Sequence, residues 1–339
     1  MKKNLRFSSY TLPILALAFA VAPVLGNNPL SRPGLLQTMG VAFVYGGLAL
    51  TYDLLFGFTG LLSFGHALFF ASGIYFTCIL INHKVFVWWL SMIVAVILTA
   101  LLAAIVGASS LRTTGITFAM VTLAFGEAGH VIVNRNFFNL TGGENGIALN
   151  SDRVPQFWIG VVNTKYLYWT ALLVLSFVYF MIWWITRSSA GRVFAAIRDN
   201  ELRVQVLGVN PKNYKLLSFT IAGALAGLLG TVMLLLAGSA APRFASADLT
   251  ISLLLMVILG GAVTRWGAVL GGVAYSYLTT RMQDFTQSGS LHHLPKWLSG
   301  PLSEPSFSLG IIFILVVMFA PGGLSGAFYR LRARVISKK

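Results

Sequence analysis

The sequence is divided into ten apolar runs, at residues 12–25, 35–57, 60–82, 86–107, 115–133, 167–186, 216–238, 249–263, 266–283 and 307–321. Several approach the roughly 20 residues that an α-helix needs to cross a bilayer. Hydrocarbon offers backbone groups no partners, so a spanning segment must be a helix or part of a closed barrel. Runs of this length are helix-sized. The expectation is an all-α fold, a polytopic transmembrane helical bundle of about ten spans. Composition agrees: 10% of residues are charged and mean hydropathy is +0.80, against about 25% charge in soluble domains. The run at 249–263 is short, and Gly260–Gly261 interrupts it near its end, which predicts a tilted or broken helix. The run at 12–25 follows Lys2, Lys3 and Arg6 and reads either as a signal peptide or as a retained first helix. A retained helix is preferred, because no convincing small-x-small cleavage site follows.

The net charge of +15 has a membrane explanation that makes nucleic acid an unneeded partner: basic residues gather in cytoplasmic loops. Alternating through ten spans from an inner N-terminus places sixteen of the 24 Lys and Arg residues inside. Both termini and the loop at about 187–215 are then expected on the cytoplasmic side. The long loops at 134–166 and 284–306 are expected outside. One span fewer would invert everything downstream.

That central loop is the polar exception in the chain. Residues 191–210 read GRVFAAIRDNELRVQVLGVN and hold five charges: Arg192, Arg198, Asp199, Glu201 and Arg203. Each would cost roughly 2.5–3.5 kcal/mol at a bilayer centre, so the segment does not span. Phe194, Ile197, Val204 and Leu207 recur at a helical period, and Asp199 precedes Arg203 by four residues. Ser188 or Ser189 can cap the start, and Gly208 with Asn210–Pro211 makes a stop. The pattern predicts one short amphipathic helix outside the membrane. Alone, it fits a solvated loop helix as well as a docking element.

Polar residues within the apolar runs are few. Asp53 reads as a membrane-edge group reachable by water, and His66 as a partner in an inter-helix hydrogen bond; either could instead face a polar path. Glu127 lies deeper and is expected in the bundle interior, with His130 able to share its helical face. Two such groups do not make a metal site, and none is expected there or at His292–His293. Cys78 is the single cysteine and reads as a packing residue. Gly223-x-x-x-Gly227, Gly267-x-x-x-Gly271 and Gly46–Gly47 are expected at close helix crossings. The sequence holds no GxxxxGK[ST], hence no P-loop, and no Ser/His/Asp arrangement with credible context; an enzyme is not expected.

Four segments in order carry a resemblance. Residues 59–75 hold Gly60-Leu61-Leu62-Ser63-x-Gly65-His66-Ala67-x-Phe69-Phe70-x-x-Gly73. Residues 117–127, TFAMVTLAFGE, precede Thr141-Gly142-Gly143-x-x-Gly146. The central loop holds Gly191-Arg192, Ala196-Ile197-Arg198, Glu201 and Leu207-Gly208-Val209, and residues 253–272 read LLLMVILGGAVTRWGAVLGG. Together, over about 35–325, the pattern resembles the M-type membrane subunit of branched-chain amino-acid ABC importers. Importers of urea and short amides are close relatives of that family. The pattern departs from it at Ala262-Val263 and Ala268, where family members often carry a glycine and a proline. A less kinked turn is expected there, with Arg265 reaching the cytoplasmic surface. The loop resembles, without matching, the EAA-type loop of other ABC importers.

The resemblance implies a single transmembrane permease domain over 1–339, multi-pass in the cell's inner (cytoplasmic) membrane. It implies a second homologous permease, two cytoplasmic ATP-binding subunits and an extracytoplasmic solute-binding protein as partners, besides lipid. ATP and Mg would sit on the partner subunits, with no cofactor held by this chain. Cargo would be branched-chain or similar small amino acids, with urea or a short amide as the alternative within the same family. The central loop becomes a coupling helix, with Arg192, Phe194, Ile197, Arg198, Glu201, Arg203, Val204, Leu207 and Gly208 as its working residues. Ser63, His66, Glu127, Thr141, Gly142 and Gly143 are candidates for the translocation pathway. A rival of another class is an ion-coupled secondary transporter, with Asp53 and Glu127 as coupling carboxylates.

Overall fold

The computed structural model describes residues 32–137, 139–158, 163–287 and scattered positions between 307 and 330. The expected span at 12–25 lies outside these residues, as do His292–His293. The expected span at 307–321 is described only in part.

The apolar runs within the described residues fold as helices, the run at 60–82 only in part. They are α1 (Pro33–Asp53), α2 (His66–Asn82), α3 (Trp88–Ser110), α4 (Gly115–Arg135), α5 (Thr164–Arg187), α8 (Pro211–Ala237), α9 (Ala247–Gly260) and α10 (Arg265–Gln287). Two short helices, α6 (Ser189–Asp199) and α7 (Glu201–Val206), stand between α5 and α8. The only strands among the described residues are the two-residue β1 (Ile147–Ala148) and β2 (Ser239–Ala240), paired antiparallel with Ile147 opposite Ala240. Among the described residues five helices are long and apolar enough to cross a membrane: α1 with the turn that extends it to Thr59, α3, α4, α5 and α8. The helices α2 and α9 are apolar but shorter.

The helices α1 and α8 form the buried centre. Against α1 pack α10, α5 and α8; against α8 pack α2 and α3. The core is aromatic and aliphatic, with Tyr52, Phe69, Phe70, Phe194 and Phe219 fully buried. Lipid cannot drive helices together by hydrophobic burial, so close backbone approach has to do it. The glycines mark where it happens. A Cβ at Gly73 would collide with the Gly227 carbonyl, and one at Gly230 with the Phe70 carbonyl, so α2 and α8 meet backbone to backbone. Gly46 of α1 meets Gly272 of α10 in the same way.

Elsewhere the chain turns apolar surface outward. One side of α3 presents Trp89, Ile93, Ile97, Leu101 and Ile105, and one side of α5 presents Leu173, Phe177, Phe180 and Trp184. Both stripes are free of charge and, but for Ser176, apolar, as suits contact with lipid tails.

The run expected at 60–82 is helical only from His66. Before it, α1 continues as a π-helical turn (Leu54–Thr59), Gly60 takes a left-handed φ of 78°, and Leu61–Gly65 are irregular. Irregular backbone survives at such a place only when its polar groups find partners. The Phe64 amide donates to Thr122 Oγ1 of α4 (3.1 Å) and the Ala67 amide to Thr250 Oγ1 of α9 (3.0 Å).

Gly73→Val should overpack the α2–α8 crossing and lower stability by about 3 kcal/mol or more. At Gly34, where a Cβ meets nothing within 4 Å, Ala should change stability by less than about 0.5 kcal/mol. Thermal unfolding of the purified proteins in detergent checks the contrast.

Candidate functional site

The polar segment between α5 and α8 folds as two helices. Ser188 caps α6, its side chain accepting from the Gly191 amide. At Asn200 the backbone swings to φ −164°, ψ 104°, which ends α6; the Asn200 side chain then accepts from the Arg203 amide and opens α7. The single helix expected from periodicity is therefore broken in its middle. Asn is a strong N-cap residue, and here its capping of a new start prevails over continuation. Asp199 consequently pairs with its neighbour Arg198 (3.2 Å) and not with Arg203. Gly208, at φ 81°, and Asn210, whose side chain caps α8 ahead of Pro211, end the segment where the sequence placed its stop.

The break separates two faces. Phe194, Ile197 and Val204 are buried within this chain's own bundle, Phe194 fully and edge-on to Tyr214. They are therefore unavailable as the partner-facing anchors that their period suggested. The exposed apolar residues are Leu202 (71%), Val206 (86%) and Leu207 (76%). Arg192, Arg203 and Gly208 are exposed beside them. Glu201 is held by Lys215 at 2.7 Å, an ion pair that clips α7 to the first turns of α8. Leu202 and Val206 share a face one turn apart, a signal readable in the sequence but hidden when all of 191–210 is taken as one helix.

The segment is fastened to the spans through Arg198. Its guanidinium donates to the Gly57 carbonyl (2.8 Å) inside the π-helical turn and to Asp199 Oδ1. Gly57 has no room for a side chain, because a Cβ would strike the Asp53 carboxylate. Asp53, expected at a wet membrane edge, is fully buried; its Oδ1 accepts from the Val263 amide at 3.0 Å. Oδ2 has no partner among the described residues. Arg198, Gly57, Asp53 and Val263 thus link the polar segment, the end of α1 and the α9–α10 turn. That turn stays sharp without the family's glycine. Gly261 has φ 101°, and Val263 has φ 68°, a left-handed conformation that a β-branched residue adopts only under strain. Arg265 donates to Thr186 Oγ1 at the end of α5 (3.0 Å).

The candidate pathway residues do not form one cluster. Ser63 and His66 are fully buried at the irregular start of α2. His66 Nε2 lies 2.9 Å from Thr51 Oγ1. The Thr51 hydroxyl donates to the Leu48 carbonyl, so it accepts from His66, the inter-helix bond expected from the sequence. Glu127 is not in the interior of this chain's own bundle: it lies on the exposed face of α4. Thr141 sits at the far end, its hydroxyl donating to the Val133 carbonyl at the close of α4. Gly142 and Gly143 there take left-handed φ of 68° and 61° in a tight turn. Arg153 donates to the Ile81 and Asn82 carbonyls, and Asn82 bonds Ala148 and Asn150, pinning the 141–158 loop to the end of α2. Among the described residues no three His, Cys, Asp or Glu side chains gather to hold a metal.

Residues 34–331 match the family described as branched-chain amino acid transport system / permease component. The chain is 28% identical over 314 residues to the high-affinity branched-chain amino acid transport system permease protein LivM of Escherichia coli (strain K12), covering 86% of this chain and 70% of that one. The same-named protein of Salmonella typhimurium is 29% identical over 312 residues, 85% of this chain and 69% of its own. A probable branched-chain amino acid transport permease protein LivM of Methanocaldococcus jannaschii is 26% identical over 242 residues, 69% of this chain and 68% of its own. No solved structure gives a significant match.

Val263→Gly should relieve about 1–2 kcal/mol of left-handed strain, more than the roughly 0.5–1 kcal/mol of chain entropy that a glycine adds. A rise of a degree or more in the unfolding midpoint is expected. Asp53→Ala should lower the same midpoint, because it removes the acceptor of the Val263 amide, a hydrogen bond worth about 0.5–1.5 kcal/mol.

Proposed function

This chain belongs to the branched-chain amino acid transport system permease family, and from that premise we propose that it is the transmembrane permease subunit of an ATP-binding cassette importer. The cargo is a branched-chain or similar small amino acid, carried inward across the cell's inner membrane. The chain acts as one multi-pass permease domain with its termini and its 187–215 segment on the cytoplasmic side. A second homologous permease completes the pathway, two cytoplasmic ATPase subunits supply the energy, and an extracytoplasmic binding protein delivers the cargo.

The observation that carries this reading is the exposed surface of the 187–215 segment. Leu202, Val206 and Leu207 are large apolar side chains turned outward on a segment too charged to lie in lipid. Arg192 and Arg203 lie exposed around them. An apolar centre with a charged rim is the composition of a docking surface, in which the apolar anchors hold and the charges set register. Arg198 serves at the root, carrying displacement into the π-helical turn through the Gly57 carbonyl. Glu201 acts through its clip to Lys215. Closure of the ATPases on nucleotide would move α7, and α6 would pass the motion to the ends of α1 and α9.

A gradient-driven transporter working alone has less support. Asp53, one of its two coupling carboxylates, is engaged with the Val263 amide and closed to solvent.

Leu202→Asp and Val206→Asp should each weaken co-purification with the ATPase subunits by about tenfold or more, the loss expected for one buried apolar anchor. Both variants should insert and fold, since the altered side chains are exposed. Phe194→Ala should instead destabilise the chain by about 3–5 kcal/mol. Uptake by the purified chain alone in liposomes, driven by an ion gradient without ATPases, would overturn the importer reading.

A further inference from the structure

Helix α4 spans 21 residues from Gly115 to Arg135, about 31 Å at 1.5 Å per residue. Glu127 stands eight residues before its end, so it lies about 12 Å into the helix from its nearer end. A glutamate side chain does not reach back over that distance to water. Its face is exposed along the helix: Thr117, Met120, Ala124, Glu127, Ala128 and Val131 all lie outward on one side. The outward stripes of α3 and α5 carry no charged residue between Trp89 and Ile105 or between Leu173 and Trp184; this one carries a carboxylate at depth. A carboxylate so placed faces a bundle interior or a water-filled cavity, not lipid tails.

Two further observations meet at the same place. His130, three residues on, has a buried Nδ1 with no partner among the described residues. The residue before Glu127 is Gly126, where a Cβ would come within 3.3 Å of Gly65 Cα. Glu127 thus directly follows the residue at which α4 meets the irregular start of α2, a kind of backbone that membranes admit only within protein or along a polar cavity. Among the described residues Glu127 makes no ion pair. Its neighbours along the exposed stripe, Ala124 and Ala128, are short, and Met120 and Val131 supply apolar surface one turn further out.

We infer that this face of α4 lines a water-filled path, closed off from lipid by a second permease subunit, and that the Glu127 carboxylate receives the ammonium group of the amino-acid cargo. The inference rests on the importer reading and names the cargo group that this site takes. The short alanines leave space for an aliphatic side chain next to the charge, and the flanking Met120 and Val131 match its apolar character.

The test uses the complete importer, assembled with its second permease, ATPases and binding protein in proteoliposomes. Cys78 is buried, so Cys78→Ala gives a background without thiols in this chain. In it, Glu127→Cys should react with a water-soluble cationic methanethiosulfonate at least about tenfold faster than Ile97→Cys on the apolar stripe of α3. In the parent background, Glu127→Gln should raise the leucine concentration for half-maximal uptake by about tenfold or more, the effect of losing one charge-assisted contact. Glu127→Asp should recover most of it. Equal, slow labelling at both cysteines would overturn the path. Fast labelling with parental leucine dependence in Glu127→Gln would overturn the ammonium role. Failure of the unmodified chain to co-purify with ATPases would count against the importer reading instead.

Discussion

Backbone amides and carbonyls in hydrocarbon have no water to turn to, and every departure from helix here is shaped by that fact. The chain leaves α1 through a π-helical turn, crosses the irregular Leu61–Gly65 stretch and re-enters helix at His66. It can do so because Thr122 and Thr250, on two other helices, accept from the Phe64 and Ala67 amides. The α9–α10 turn is held likewise, by a buried carboxylate on the Val263 amide. The chemistry-bearing residues cluster at these two interruptions. Where the helices run unbroken the polar side chains mostly satisfy their own turn, as Thr77 and Thr99 do by donating four residues back.

The linkage through Arg198 follows from the first interruption. A regular helix would spend the Gly57 carbonyl on its own ladder more fully; the π-helical turn leaves it open to a guanidinium from another segment. The same turn brings Asp53 and Gly57 so close that only a residue without a side chain fits at position 57. One local irregularity therefore fixes three relations at once: where the polar segment sits, where α1 ends, and how the α9–α10 turn is tied in.

Much of this architecture was legible in the sequence. Apolar run length announced the helices α3, α4, α5 and α8, because length and hydropathy are what a bilayer selects. The paired glycines predicted close crossings, and each of Gly46, Gly223, Gly227 and Gly271 lies against a neighbouring helix. Ser188, Gly208 and Asn210 served as the caps and stop that local chemistry assigns them. Periodicity failed where two choices competed. Asn200 could sit inside one helix or cap a second, and the helical period of Phe194, Ile197, Val204 and Leu207 does not say which. Nor does an apolar stripe say whether it faces its own chain or another; Phe194 and Leu207 look alike in sequence and lie at opposite extremes of exposure. The fates of Asp53 and Glu127 were interchanged for a related reason. Depth along a span is written in the sequence, but the direction a side chain takes depends on neighbours more than 100 positions away, such as Val263 for Asp53.

The joint at Asn200 changes what kind of machine part the polar segment is. A continuous rod transmits a push along its axis. Here an outer tip, α7, meets an inner root, α6, at an extended residue, and the root is pinned by Arg198 immediately before the bend. A sideways load on Leu202 or Val206 therefore arrives as torque about that pin, twisting the end of α1 where a straight rod would have compressed it.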